Sequence, residues 1–378
     1  MKEKMDKIVA SVLGVKSKID CLVYLENMRE GIEALRAENI RVTNTFPFIK
    51  AVGVSLDSGQ ICTLAKHKCV QFISSQSNVF AMMNISRQIL GVDSVKLDGK
   101  GITIAYIDTG ISPSLDFCLG KKRILKFIDL INFKVFPYDD NGHGTFVAGV
   151  GSGNGLISNG KYSGIAKKSN IISIKALAEN GEANASHILE AMQWVYDNKQ
   201  KYNIRVVCMS FGSEPLGEND PIMRGADELW KSGIVVVAAA GNSGPEFETI
   251  KSPGISRNII TVGGFDDNRI SDTTYNEAFF EIAEFSSRGP ALEGFKPDFV
   301  APAVDITSCG VGEFYTKLSG TSVATPMIAG ISALLLEKDS NLTPNDIKAK
   351  LKTLGRPITF NRNKEGDGYV VLTRSDVE

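Results

Sequence analysis

The sequence predicts an α/β protein: a three-layer domain, with a parallel sheet between helices on both faces, preceded by a small α+β, ferredoxin-like unit. From about residue 100 onward, short apolar runs alternate with helical stretches, the pattern of strands covered on both faces by crossover helices. Residues 18–80 carry a different rhythm, in which shorter elements follow one another as β-α-β-β-α-β. Length allows both, since 378 residues with 43% hydrophobic content exceed one ordinary domain and suffice for a sizeable core.

In the first unit, 19–25 reads as a strand. Met28, Ile32 and Leu35 then fall at i, i+4 and i+7, one face of a helix over 27–38. Segments 40–44 and 51–55 read as strands about a turn at 45–49, 58–69 as a second helix and 70–74 as a last strand. Residues 75–87 show no periodicity and read as a linker. The expected division is 1–80, a connecting region 81–90, and a large domain 91–378. In that domain strands are expected at 102–107, 170–174, 204–209, 234–240 and 258–262, and helices at 143–151, 185–202, 221–232 and 322–338. Thr343-Pro344 opens a final helix over 343–354, because proline suits a helix's first turn. The tail to residue 378 has room for an edge strand.

A net charge of −1 gives no electrostatic footprint for nucleic acid or a membrane surface. The longest apolar runs, 234–240 and 329–336, are too short to span a bilayer. The first residues mix acids with lysines, and the apolar stretch 8–15 lacks a small-residue cleavage site, so no signal peptide is expected. Cys21, Cys62 and Cys69 fall in one region and Cys118, Cys208 and Cys309 in the other. An odd number in each argues against a disulfide framework and for a reducing, cytoplasmic setting. No HExxH and no paired CxxC occurs, so no metal is expected. Gly149-Val150-Gly151-Ser152-Gly153 follows a helix instead of opening one after a strand, which excludes a dinucleotide loop. Nothing indicates an oligomeric state.

The chemistry concentrates in three places. Ser322 lies in Gly320-Thr321-Ser322-Val323-Ala324-Thr325-Pro326, at the start of an apolar helical run, where backbone N–H groups and the helix dipole favour negative charge. Alone it would be an N-cap. The run 102–107, however, delivers Asp108-Thr109-Gly110 at a strand end, and Asn141-Gly142-His143-Gly144-Thr145 sets a histidine between glycines at a helix start. A serine hydroxyl needs a base to remove its proton during attack, and an imidazole does that near neutral pH. Asp108 would hold the other ring N–H, and the glycines flanking His143 would leave room for a substrate backbone. Asp108-Thr109-Gly110 also spells an aspartic-protease motif, but it occurs once, and that chemistry needs two carboxylates sharing a proton. His67 and His187 are expected at the surface.

In the chain order Asp, His, Ser these segments resemble the catalytic blocks of the subtilisin-like serine proteases, or subtilases. Ala238-Ala239-Ala240-Gly241-Asn242-Ser243-Gly244 is similar to the family's oxyanion-hole segment. Ser210-Phe211-Gly212, Phe285-Ser286-Ser287-Arg288-Gly289-Pro290 and Lys296-Pro297-Asp298-Phe299-Val300-Ala301-Pro302 match smaller family phrases, and the resemblance spans roughly residues 85–355. It implies a serine endopeptidase of the intracellular branch, with Asp108, His143 and Ser322 as its triad and protein or peptide substrates. Asn242 and the backbone N–H of Ser322 would receive the oxyanion. A non-catalytic, subtilase-like binding or regulatory protein is the alternative, against which stands the presence of all four residues. The 1–80 unit resembles the family's inhibitory propeptide, which assists folding and then blocks the cleft. That implies a self-processed zymogen cut within 75–87, with its own propeptide as a partner.

The resemblance also sets Ser210, Phe211, Gly212, Ala239, Ala240 and Gly241 along the substrate. Lys251 falls near the pocket floor, where glycine is common. A lysine there would attract an acidic side chain, but 75–87 holds no acid to be cleaved after, so Lys251 is expected either to point to solvent or to stand one residue away from the floor position. Many subtilases insert a calcium loop after the catalytic histidine. Residues 153–164 lack its asparagine-rich pattern, so no cofactor is required; Asp116, which stands where a family ligand lies, leaves calcium elsewhere open, but it is not predicted.

Overall fold

The first unit runs β1 (Ile19–Leu25), α1 (Met28–Ala37), β2 (Val42–Phe46), β3 (Ala51–Leu56), α2 (Ser58–Lys66) and β4 (Val70–Ser75). Its strands form an antiparallel sheet in the order β2-β3-β1-β4, the ferredoxin-like arrangement expected. Cys21, Val23 and Leu25 alternate onto one face and are buried with Leu35, Ile61 and Leu64 from the helices. Asn27 caps α1, and Asp57 with Gln60 forms a capping box on α2. Strand β2 starts two residues later than the hydrophobic run suggested. A short 3₁₀ turn at Pro47–Ile49, ended by Lys50 at φ 51°, makes the reversal tighter than 45–49.

This computed structural model describes residues 4, 5, 9, 18–75, 83–118, 122–269, 274–292, 294–312 and 314–377. Two compact units emerge, Met1–Val79 and Phe80–Glu378. The cut expected between about 76 and 83 lies almost wholly outside the described residues. Of the expected connecting region, Met83–Ile89 is instead a helix, α3. Ile85 and Ile89, one turn apart, bury themselves with Phe265, Phe280 and Tyr369, and Arg87 pairs with Asp93 at 2.7 Å. Two isoleucines in seven residues were too short a pattern to read as a helix.

The larger unit continues with β5 (Thr103–Asp108), β6 (Ile124–Asp129), α4 (His143–Ser152), β7 (Asn170–Lys175), α5 (Ala185–Tyr202), β8 (Ile204–Met209), α6 (Pro221–Lys231) and β9 (Val235–Ala239). After these come β10 (Ile260–Asp266), β11 (Glu281–Ile282), β12 (Phe299–Pro302), β13 (Ile306–Cys309), β14 (Tyr315–Leu318), α7 (Thr321–Lys338) and α8 (Pro344–Thr353). Small elements β15 (Gly355–Arg356), α9 (Arg362–Glu365), β16 (Tyr369–Val370) and α10 (Arg374–Val377) complete the tail. The ten-stranded sheet runs β15-β16-β12-β10-β9-β8-β5-β7-β6, with β11 on β10. It is parallel apart from β11 and β15. The tail strand β16 pairs with β12, as the spare length allowed.

Helices cover both faces of this sheet. α4 packs with α7, α5 packs with α6, and each pair lies on the strands. α7 shows no apolar stripe because it is buried on all sides: from Val323 to Leu336 every residue is inside. β5 is buried along its whole length between β7 and β8, so its C-terminal Asp108 is held at the centre of the sheet's edge. Among the described residues no helix is long and apolar enough to cross a membrane, and the six cysteines are free thiols.

Candidate active site

Asp108 is 1% exposed, and its Oδ1 accepts from His143 Nδ1 at 2.8 Å and from the Thr109 backbone N–H at 2.7 Å. The imidazole is therefore held by one ring nitrogen, its side chain 25% exposed. Burial pulls the His143 pKa down, but the Asp108 charge and hydrogen bond, aided by the charge of Asp139, outweigh it and leave the pKa raised above 6.5.

The glycines around His143 also shape the start of α4. Gly144 packs against Asp108 and Gly110, where any Cβ would collide with the Gly110 carbonyl, and so lets α4 approach the strand end. Gly142 caps α4 at φ 101°, a backbone conformation that suits glycine.

With no side chain at the cap, the first N–H groups of α4 are satisfied from elsewhere. His143 N donates to Asn141 Oδ1 (3.1 Å), Gly144 N to Thr109 Oγ1 (2.9 Å) and Thr145 N to Asp139 Oδ2 (2.8 Å). Asp139 also accepts from Gly142 N (2.8 Å), Asn141 N (3.1 Å), Thr109 Oγ1 (2.9 Å) and Thr145 Oγ1 (2.6 Å). It thus ties the residue after Asp108 to the helix that carries His143. Burial alone would raise the Asp139 pKa, yet these donors hold it below 3.8. Lys175, fully buried, reinforces the same strand end by donating to Thr109 O (2.8 Å), Leu177 O (2.9 Å) and Asp140 Oδ1 (2.6 Å). Asp139 and Lys175 are the supporting residues that motif reading missed. An aspartate four residues before a histidine was the available signal.

Ser322 is the second residue of α7, where its backbone N–H is not needed by the helix. Asn242 Oδ1 accepts from Thr321 N (2.9 Å) and Thr321 Oγ1 (3.0 Å), which fixes which end of the amide is oxygen and leaves Nδ2 free to donate. Gly320 sits between, at φ 151°, and a Cβ there would lie 3.2 Å from both Asn242 Nδ2 and Ser322 Oγ. A small space bounded by an amide donor, a hydroxyl and a helix N-terminus is what remains. Among the described residues Ser322 Oγ makes no hydrogen bond to His143, and such contacts are often long before substrate binds.

The expected substrate-lining residues divide. Ser210, Ala239 and Ala240 are buried behind the surface, and the Ala240 backbone is already used by Val262 O and Lys251 N, each at 2.9 Å. Phe211 and Gly212 line an open groove of about 660 Å³ with Ser213, Glu214, Leu177, Ala183 and Ile188. Gly241 and Lys251 are partly exposed beside Gly212. Lys251 does not point to solvent: its side chain is 19% exposed, with its stem against Gly212 and Gly241 and its ammonium on Glu214.

Asp116 does not fit a calcium ligand. Its carboxylate accepts from Ile157 N (2.9 Å), Tyr315 OH (2.5 Å) and Cys309 Sγ (3.5 Å). Burial and that carboxylate push the Tyr315 phenol up, keeping it a donor. The buried Arg123 guanidinium donates to the Asp116, Ser152 and Ser169 carbonyls at 2.6–2.8 Å, so a cation already holds this corner. Among the described residues no group of three His, Cys, Asp or Glu could hold a metal ion.

The parallel sheet with helices on both faces, and the aspartate–histidine pair at its strand ends, define a subtilisin-like α/β fold. Residues 99–368 match the model of the subtilase family, and the chain belongs to that family. It is 42% identical over 279 residues to serine protease AprX of Bacillus subtilis (strain 168), a match covering 68% of this chain and 61% of that protein's length. Subtilisin DY of Bacillus licheniformis is 32% identical over 68% of this chain and 84% of its own. Two similar solved structures are Sphericase (TM-score 0.64, 25% identity, 78% of this chain and 100% of that one) and a cold-adapted subtilisin-like serine proteinase (TM-score 0.57, 28% identity, 73% and 89%).

Proposed function

We propose that the chain is a serine endopeptidase made as a self-processed zymogen. Ser322 Oγ attacks the substrate carbonyl while His143 Nε2 takes its proton and later passes it to the leaving amine. Asp108 orients the imidazole through Nδ1 and stabilises the imidazolium that forms. The Asn242 amide and the Ser322 backbone N–H receive the charge that develops on the carbonyl oxygen. The observation that carries this reading is the 2.8 Å bond from His143 Nδ1 to the buried Asp108 carboxylate. The serine stands beside an amide donor locked by Thr321. The ferredoxin-like unit acts as the propeptide, protein or peptide chains are the substrates, and no metal takes part. Six free thiols and the absence of a disulfide support a cytoplasmic setting.

The test is a serine-directed fluorophosphonate probe on the processed chain, read by mass spectrometry at Ser322, alongside the fate of Ser322→Ala. Labelling of Ser322, with the Ala variant accumulating as the 378-residue chain, is the expected result. A folded, processed protein that never labels would instead be a non-catalytic member of the family.

A further inference from the structure

Gly212 lines the open groove together with Glu214, and Gly241, directly before Asn242, donates its N–H to Thr321 Oγ1 at 3.2 Å, next to Ser322. The space their missing Cβ atoms would fill belongs to Lys251. A Cβ on Gly212 would lie 2.6 Å from Lys251 Cβ, and one on Gly241 2.5 Å from Lys251 Cγ. The base of the stem thus fills the space between the two glycines, beside the end of the groove that Gly212 and Glu214 line, hereafter the slot. Its backbone is held as well: Lys251 N donates to Ala240 O at 2.9 Å, and Ser252 bridges Ser213 in both directions at 2.9 and 3.0 Å. Held so, the side chain leads to Glu214, its salt-bridge partner among the described residues.

The two ends of that pair are unequal. Lys251 is 19% exposed and Glu214 81%. A part-buried ammonium needs an anion close by, whereas a carboxylate this exposed is weakly held and readily exchanged for another. Glu214 therefore does for the resting protein what a substrate carboxylate would do in the slot. The lysine stem also takes up depth that a large apolar side chain would require.

From this, and resting on the endopeptidase reading above, we propose that Lys251 selects substrates with a carboxylate side chain on the residue whose carbonyl is attacked. The incoming carboxylate replaces Glu214 on the Lys251 ammonium. Residues 75–87 contain no acid. A bond within the chain's own connecting segment is presented at high effective concentration by its covalent tether, so its cleavage does not depend on fit to the slot.

The experiment is kcat/KM for four peptides differing only at that residue (Glu, Gln, Ala or Phe), measured on the processed chain and on Lys251→Met and Glu214→Gln. Wild type should favour Glu over the isosteric Gln by about tenfold or more, as a charge-assisted contact replaces a neutral one. The preference should vanish in Lys251→Met, widen in Glu214→Gln and narrow with added salt. Glu214→Gln changes only an exposed side chain, so it reports even if the lysine variant folds poorly. Equal rates for Glu and Gln in wild type, faster cleavage of Phe or Ala than of Glu, or a Glu preference that survives Lys251→Met would overturn the proposal while leaving the endopeptidase reading intact. Failure to cut any of the four, together with no fluorophosphonate labelling, would overturn both.

Discussion

Replacing Asp139 by asparagine keeps the shape of a residue that touches neither substrate nor Ser322 in the proposed mechanism, and removes one acceptor and one charge. Three donors converge on its Oδ1 (Thr109 Oγ1, Asn141 N and Gly142 N) and two on its Oδ2 (Thr145 N and Thr145 Oγ1). Whichever way an amide is turned, a backbone N–H of Gly142 or of Thr145 faces an NH₂ group. An orphaned buried donor costs about 1–3 kcal/mol, and losing the anion from a helix N-terminus adds about 0.3–1 kcal/mol. Asp139→Asn should therefore destabilise the larger unit by roughly 2–4 kcal/mol, or a fall in Tm of roughly 4–10 °C. Thermal unfolding measures this best in a Ser322→Ala background, where self-digestion does not truncate the transition. The sign with pH follows from the lowered pKa of Asp139. Its stabilisation is full above its ordinary 3.8 and is lost as pH falls through the lower folded value, so the deficit of the variant should shrink in acid. The same charge helps to raise the His143 pKa. In the variant the acid limb of kcat/KM should move to lower pH, a change that a merely structural role would not produce. An unaltered Tm, or an acid limb coincident with wild type, would refute the role given to Asp139.

Three further outcomes are expected. In wild type, kcat/KM should rise with pH through an apparent pKa above 6.5, because the imidazole must be neutral to accept a proton and Asp108 and Asp139 favour its charged form; an activity maximum near pH 4 in a steady-state profile would remove His143 from the role of base. Gly320→Ala places a methyl 3.2 Å from Asn242 Nδ2 and Ser322 Oγ. Its kcat should fall about 10²–10³-fold, as for loss of one oxyanion donor, and combining it with Asn242→Ala should cost little more; full additivity would show that the methyl acts elsewhere. Because Tyr315, Cys309 and Ile157 already occupy the Asp116 carboxylate, a chelator should leave activity and Tm unchanged, and a prompt loss restored by calcium would contradict that.

The parts of the fold and site that could be read from the chain are those whose reasons are local. β5, β7, β8 and β9 are continuous apolar runs because both faces are covered, and each was found to within a residue or two. Asp108, His143, Asn242 and Ser322 stood out because each sits in a glycine-marked stretch at an element's end, where backbone must turn or approach closely. β6, by contrast, is a sheet-edge strand whose residues are partly exposed, and the β13–β14 hairpin has an exposed second strand; neither has an apolar run to announce it. Helix α3 was lost for want of length.

What could not be read is long-range pairing of polar groups. Asp139 meets Thr109 across 30 residues, Glu214 meets Lys251 across 37, and Tyr315 meets Asp116 across 199. The type of one partner says little about where the other lies, and each pairing exists only once the sheet has brought strand ends together. Lys251 is the instructive case. The lack of acid in 75–87 pointed its side chain outward, yet the two glycines at 212 and 241 leave space that Cβ and Cγ of its stem fill. A glycine beside a cleft is commonly taken as room left for a ligand. Here Gly144 makes room for the strand end under Asp108, Gly212 and Gly241 make room for a lysine, and Gly320 alone leaves its space open between an amide donor and a hydroxyl. The difference lies in what faces each missing Cβ, which is a property of the packed chain, and it is what separates the glycines that build the site from the one that keeps a place in it for the reacting atoms.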